Sequence, residues 1–294
     1  MHRPVLLKET IELLSPERGA FIIDGTLGGG GHAKAIAERI GKEGMLLAID
    51  WDREAIERFK DEAAHLLPRV VLMQGNYKDI PKLLHAAHLP KADGVLVDLG
   101  FSSFQIDAPE RGFSFRGEGP LDMRYAREEG RETAAAVVNG SSEDALTDIF
   151  RTYGEERYAR PIAHALVEAR RKERIMTTHA LAEAVERAVP GGRRGRIHPA
   201  TKVFQALRIF VNGEFENIAE FLGKAEECVK PGGRVAVISF HSLEDRIVKR
   251  AMRAYAKEKK AELITKKPIV PDREEEKENP RSRSAKLRGM QLII

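Results

Sequence analysis

At 294 residues and 42% hydrophobic content the chain can bury a real core in one large domain or two moderate ones, which excludes disorder as its overall state. Its single cysteine, Cys228, excludes an internal disulfide and any multi-cysteine metal site, and is expected to be a small buried hydrophobe in a reducing compartment. Lys and Arg number 49 against 45 Asp and Glu, so the net charge of +4 admits a polyanionic partner without requiring one.

The opening stretch, MHRPVLLKETIELL, carries Arg3, Lys8, Glu9 and Glu12 where a signal peptide would be apolar, and no later run approaches ~18 apolar residues. A cytoplasmic protein with no membrane association is expected. Next comes AFIIDGTLGGGGH, Ala20 to His32: an apolar run ends on Asp24 and breaks into Gly25, Gly28, Gly29, Gly30 and Gly31 before the helix-like AKAIAERI. Glycines admit positive φ and close backbone approach, and the free N–H groups of a helix start favour polar or anionic ligand groups. This turn fits the Asp-x-x-x-Gly-x-Gly pattern of S-adenosylmethionine (SAM) enzymes through Asp24, Gly28 and Gly30, and also the looser dinucleotide pattern Gly28-x-Gly30-x-x-Ala33. By itself it does not choose between the two cofactors, and a tight turn with no ligand is the plain alternative.

Apolar runs recur at Phe21 to Ile23, Met45 to Ile49, Val70 to Met73 and Val95 to Leu99, separated by stretches of helical period such as AIERFKDEAAHLL. Alternation of this kind predicts a parallel sheet covered by helices on both faces, with ligands at the C-terminal strand ends. Asp50, 22 residues after Gly28, ends the second run and is the candidate for ribose hydroxyls, whereas Asp52 is placed to cap the following helix. The third run exits into Gly75-Asn76-Tyr77, either an aromatic beside an adenine or a plain surface turn, and the fourth into Asp98-Leu99-Gly100-Phe101-Ser102-Ser103.

From about Asp107 the alternation stops. Between Thr133 and Val189 every strong pattern is helical, so a helical domain is expected as an insertion after the fourth strand, with boundaries 1–106, 107–199 and 200–294. It carries Arg151, Arg157, Arg160, Arg170, Arg171, Lys172 and Arg174, then Arg193, Arg194 and Arg196 in GGRRGR, which is harder than the rest to explain as a solvated helix face. After Pro231-Gly232-Gly233 a fifth buried strand is expected at Val235 to Phe240, then a helix capped by Ser242-x-x-Asp245, a strand at Glu262 to Thr265 and a last one at Met290 to Ile294.

Ser239, His241 and Asp245 do not form a hydrolase triad, since no Gly-x-Ser-x-Gly elbow is present and three residues so close in sequence rarely converge on one atom. The nine histidines include no His-x-x-x-His pair, and His85 with His88 lacks a carboxylate pair, so no metal is expected.

HRPVLLKE, DGTLGGGGH, LLAIDWD, DLGFSS, RGFSFRGEGPLDMR, YGEERYARPIA, HPATKVFQALRIFVN, PGGRVAVISFHSLEDRIVK and NPRSRSAKLR together resemble, in order and over nearly the whole chain, the bacterial ribosomal RNA small-subunit methyltransferase H family, also called MraW. The resemblance implies a Rossmann-like SAM-dependent α/β fold with an inserted all-helical domain. It also implies methylation of the N4 amine of a cytidine in the decoding region of small-subunit (16S) ribosomal RNA, with the RNA or the 30S particle as partner. By position it implies SAM contacts from Gly30, Gly31, His32, Asp50, Tyr77, Asp98 and Gln105. The chain departs from the family at Phe101, where valine is usual, and Tyr77 stands where phenylalanine is also found. The arginine-rich tail, Arg281, Arg283, Lys286 and Arg288, joins the insertion as an expected RNA grip.

An exocyclic amine conjugated to a ring attacks a methyl sulfonium only when acceptors hold its N–H bonds and aim its lone pair. Amino methyltransferases of other families place Asp/Asn-Pro-Pro-Tyr at this strand end; here Asp98-Leu99-Gly100-Phe101 has an acid first and an aromatic fourth, making Asp98 and Phe101 the catalytic candidates. That Asp98 only binds SAM and Phe101 only packs stands beside this reading. A nicotinamide-dependent oxidoreductase and a non-enzymatic ribosome-assembly factor are the rivals. The sequence is compatible with a homodimer.

Overall fold

The computed structural model describes residues 4–127, 130–190 and 198–293. In chain order they form α1 (Leu7–Leu14), β1 (Phe21–Asp24), α2 (Gly31–Ile40), β2 (Met45–Asp50), α3 (Arg53–Ala63), β3 (Arg69–Gln74), α4 (Ile80–Ala86) and β4 (Ala92–Asp98). Six helices follow: α5 (Ser103–Asp107), α6 (Ala134–Gly140), α7 (Glu143–Gly154), α8 (Ala159–Lys172), α9 (Thr178–Ala188) and α10 (Ala200–Asn212). The chain closes with α11 (Glu214–Gly223), α12 (Ala225–Cys228), β5 (Val229–Ser239), α13 (Ser242–Lys257), β6 (Ala261–Leu263), α14 (Arg273–Glu278) and β7 (Lys286–Leu292). None of the described helices is long and apolar enough to cross a membrane. Two compact units result, one running to Gly100 and resuming at Phe215, the other Phe101–Glu214.

The first unit is an open α/β sheet of order β3-β2-β1-β4-β5-β7-β6. β1 to β5 run parallel and β7 antiparallel to both β5 and β6. Successive strand residues point to opposite faces, and the core divides accordingly. Ile23, Leu47, Ile49, Val95, Val97, Val235 and Val237 meet Ile80 and Leu84 of α4, Phe221 of α11 and Val248 and Met252 of α13. Ile22, Leu46, Ala48, Leu96, Ala236 and Ile238 meet Leu13 and Leu14 of α1, Ile36 and Ile40 of α2 and Phe59 of α3. Both faces are covered, so each strand reads as a continuous apolar run rather than an alternating one. Cys228 belongs to the first of these clusters, and burial pushes its thiol up to about 12.

The sheet differs from the sequence reading at its far edge. β7 spans Lys286–Leu292 rather than starting at Met290, because Arg288 and Gly289 complete its ladder to β5. β5 begins at Val229 and runs through the Pro-Gly-Gly stretch, with a register irregularity opposite Ala92 and Gly94. Asp52 caps α3 as expected, accepting the Glu54 N–H at 3.0 Å.

The second unit is helical, with α6 to α10 closing on Val138, Leu146, Phe150, Ile162, Leu166, Leu181, Val203 and Leu207. It extends beyond the 107–199 read from sequence. α10 belongs to it because the apolar face of that helix, Ala200, Val203, Phe204, Ala206, Leu207 and Val211, fills this core. The aperiodic segment before α6 is ordered by side-chain bonds to main chain: the Arg111 guanidinium donates to the carbonyls of Arg124 and Tyr125, and Arg124 forks onto Asp122. Arg193, Arg194 and Arg196 lie outside the described residues.

Candidate functional site

β1, β2 and β4 are parallel neighbours in the sheet, and each ends on an aspartate: Asp24, Asp50 and Asp98. The order reverses between β1 and β4, the place where an open α/β sheet leaves a crevice beyond its strand ends. Asp24 is 1% exposed; its Oδ1 accepts the Thr26 N–H at 3.1 Å, while Oδ2 is buried with no hydrogen-bond partner. Burial, opposed by the Thr26 N–H and reinforced by Asp50, pushes its pKa from 3.8 to about 7. Asp50 ties the glycine turn to β2, Oδ2 accepting the Gly28 N–H at 2.7 Å and Oδ1 the Asp52 N–H at 2.8 Å. Burial still raises it to about 6. Each oxygen retains a second lone pair for a ligand hydroxyl.

Asp98 is set by the same turn, its N–H donating to Thr26 Oγ1 at 2.6 Å. His32 Nε2 lies 3.8 Å from its Oδ2, and Oδ1 is buried with no hydrogen-bond partner, although the side chain as a whole is 25% exposed. Burial first, then the charges of Asp24 and Glu244, hold this carboxyl well above the usual range. Sequence reasoning missed Thr26 and Glu244. Glu244 is 1% exposed, its Oε2 accepting the N–H groups of Phe240 at 2.8 Å and His241 at 3.2 Å, and its own N–H donates to His241 Nδ1 at 3.3 Å. The cap of α13 is therefore His241 with Glu244, one residue upstream of the Ser242 and Asp245 pair read from sequence. A carboxylate three residues after a helix cap is the sequence signal that pointed there.

Asp245 is instead held by Arg288, at 2.6 Å from Nε and 3.2 Å from Nη2. Arg288 is thus a buried strand residue with its charge matched, which removes it from the expected RNA grip. Ser239 Oγ donates to the Lys286 carbonyl, so the rejected triad residues have three separate sets of partners.

Gly30 caps α2 at φ 74°, and no side chain caps that helix, which leaves its first-turn N–H groups to other acceptors. A Cβ on Gly30 would stand 2.2 Å from the Phe59 ring, and one on Gly31 2.2 Å from Pro4. Packing therefore demands both glycines, whatever they bind. Tyr77 opens a single 3-10 turn capped by Asn76 and sets its ring edge-on to Phe221 at 5.8 Å.

Phe101 and Gln105 belong to the second unit. Phe101 stacks on Phe113 at 6.1 Å, with the Arg208 guanidinium 4.9 Å from its ring centre. Gln105 is buried and closes a capping box, its Oε1 accepting the Ser102 N–H at 2.9 Å. Among the described residues no group of three or more His, Cys, Asp or Glu is placed to hold a metal. Three strand-end carboxylates whose ionisation is opposed by burial, and in Asp24 and Asp98 also by a neighbouring acid, favour a ligand that brings positive charge and hydroxyl groups.

A sequence model of the MraW methylase family matches residues 1–293. The chain is 46% identical over 308 aligned residues to a protein of Syntrophotalea carbinolica, covering 99% of this chain and 98% of that one. It is 48% identical to a protein of Persephonella marina, with 99% of each covered, and 46% identical to one of Deinococcus deserti, with 100% and 94% covered. All three relatives are named ribosomal RNA small subunit methyltransferase H.

Proposed function

This chain belongs to the MraW methylase family, and on that premise we propose that it transfers a methyl group from SAM to the N4 amine of a cytidine in the decoding region of small-subunit ribosomal RNA. The RNA class rests on the name its relatives share, and the N4 amine on the family resemblance and on the acid that ends β4. Membership of a methylase family removes the nicotinamide-dependent alternative. The observation that carries the reading is Asp98, which combines a buried oxygen lacking a hydrogen-bond partner with partial exposure at the sheet's switch point.

The residues present fit SAM. Gly30, Gly31 and His32 offer the α2 N-terminus, Asp50 has lone pairs for the ribose hydroxyls, Tyr77 is assigned to the adenine, and Asp98 and Gln105 to the methionyl end. When bound, SAM supplies a methyl group activated by a sulfonium charge. A positive charge held near Asp24 and Asp98 would offset the burial that raises their pKa values. Ionised Asp98 then accepts an N4 hydrogen, aims the amine lone pair, and takes the proton that nitrogen must lose once methylated. The cytosine must leave its stack to reach a strand end, and Phe101 is the aromatic face assigned to it. The helical unit is assigned to RNA recognition, along with Arg193, Arg194, Arg196 and the exposed tail residues Arg281 and Arg283.

The test is incubation with labelled SAM and small-subunit particles from cells lacking the modification, followed by nucleoside mass analysis. N4-methylcytidine formed over many turnovers is expected. Label in another nucleoside would refute the N4 assignment, and SAM binding without turnover would favour the assembly-factor reading.

A further inference from the structure

One helix of the sheet unit aligns its cations on a single exposed face. α13 carries Arg246, Arg250, Arg253 and Lys257 at spacings of four, three and four residues, all of them exposed. At the helical period these fall within a stripe ~60° wide that runs ~16 Å along the axis. The other side of the helix, Val248, Met252 and Tyr255, is buried in the core below the sheet. The two acids of α13 pair with groups other than Arg250, Arg253 and Lys257. Glu244 is turned into its cap, and Asp245 is bound by Arg288, with Lys286 3.7 Å away. Among the described residues no ion pair involves Arg250, Arg253 or Lys257. Lys249 of α13 and Lys266, which follows β6, line one crevice with Arg253 and extend the charge toward β6.

Four arginines of the helical unit already have partners. Arg160 faces Glu143 and Asp144 at 4.0 and 3.8 Å, Arg171 pairs with Glu168, Arg170 donates to the Val138 carbonyl at 2.6 Å, and Arg157 lies 4.4 Å over the Tyr158 ring. Exposed like charges on one rigid face repel one another, and a polyanion strand relieves that repulsion while releasing counterions.

We propose that the exposed face of α13, extended by Lys249 and Lys266, is a phosphate-binding surface for the RNA substrate on the same unit as the strand-end site. This rests on the RNA-substrate reading above. Its contacts are to phosphates, so it contributes sequence-independent affinity and salt dependence rather than choice of base.

The test is binding of a small-subunit RNA transcript across a salt series by the full chain and by an Arg250→Gln/Arg253→Gln/Lys257→Gln variant, with SAM affinity reporting an intact fold. The slope of log K against log salt should shrink by roughly 2, and affinity at low salt should fall ~10-fold or more. An Arg250→Lys/Arg253→Lys variant with Lys257 kept should retain most of the slope. A variant slope equal to that of the wild type overturns the assignment of α13 and leaves the RNA reading standing; absence of RNA binding by the wild type overturns both. Unchanged RNA binding with lost binding to phosphatidylserine vesicles would also overturn it, giving the face to a membrane.

Discussion

In the helical unit, Arg208 is 8% exposed and meets the two oxygens of Glu214 at 2.8 Å each, while Asn212 donates to the Met123 and Arg208 carbonyls and accepts the Tyr125 N–H. At the strand ends of the sheet unit, Asp24 and Asp98 each keep a buried oxygen with no hydrogen-bond partner, and both carboxyls sit above their ordinary range. Both clusters bury charge, but only the one around Arg208 completes its bonding internally. A matched network fixes a single packing; an unmatched one stores the demand for a ligand.

The largest expected effect tests the matched side. Arg208→Ala should cost about 3–5 kcal/mol in urea denaturation because it strands a buried carboxylate, and Arg208→Met with Glu214→Leu together should recover much of it. A loss below about 1 kcal/mol would mean that the pair is not a buried network.

Removing a strand-end carboxylate should act on chemistry instead. Asp98→Ala should slow single-turnover methylation ~10²-fold or more at saturating SAM, with Asp98→Asn losing less because it keeps an acceptor oxygen. SAM affinity is measured separately for each variant. Wild-type methylation by Asp98→Ala would reduce Asp98 to a cofactor ligand and move the acceptor role to a backbone carbonyl such as that of Leu99.

The smallest effect is in pH. Asp24 has a folded pKa of about 7 against an ordinary 3.8, so between those values the folded chain holds a proton that the unfolded chain has released. Its contribution to stability is therefore full at low pH and lost as pH rises toward 7, at up to about 1.4 kcal/mol per unit. Thermal unfolding without cofactor should show this loss from pH 5 to 7, and Asp24→Asn should flatten it. SAM affinity should move the opposite way, rising over the same interval as binding expels the proton. Identical pH profiles for wild type and Asp24→Asn would assign the demand for positive charge to Asp50 and Asp98 alone.

The sequence by itself determined the alternation of strands and helices, the strand-end acids Asp50 and Asp98, the Asp52 cap and the helical character of the insertion. Each is written in local periodicity or in the residue that ends an apolar run, and local sterics and hydrogen bonding act over a few residues. Only the tertiary structure decided which charges were already matched. It took Arg288 from the tail and buried it on Asp245, 43 residues earlier; gave α10 to the helical core; and showed that Gly30 and Gly31 answer to Phe59 and Pro4. It also brought Asp24 and Glu244 close enough to Asp98 to raise that carboxyl's cost of ionisation. Pairing and desolvation depend on distances through space, which strand crossovers set and residue spacing along the chain does not encode.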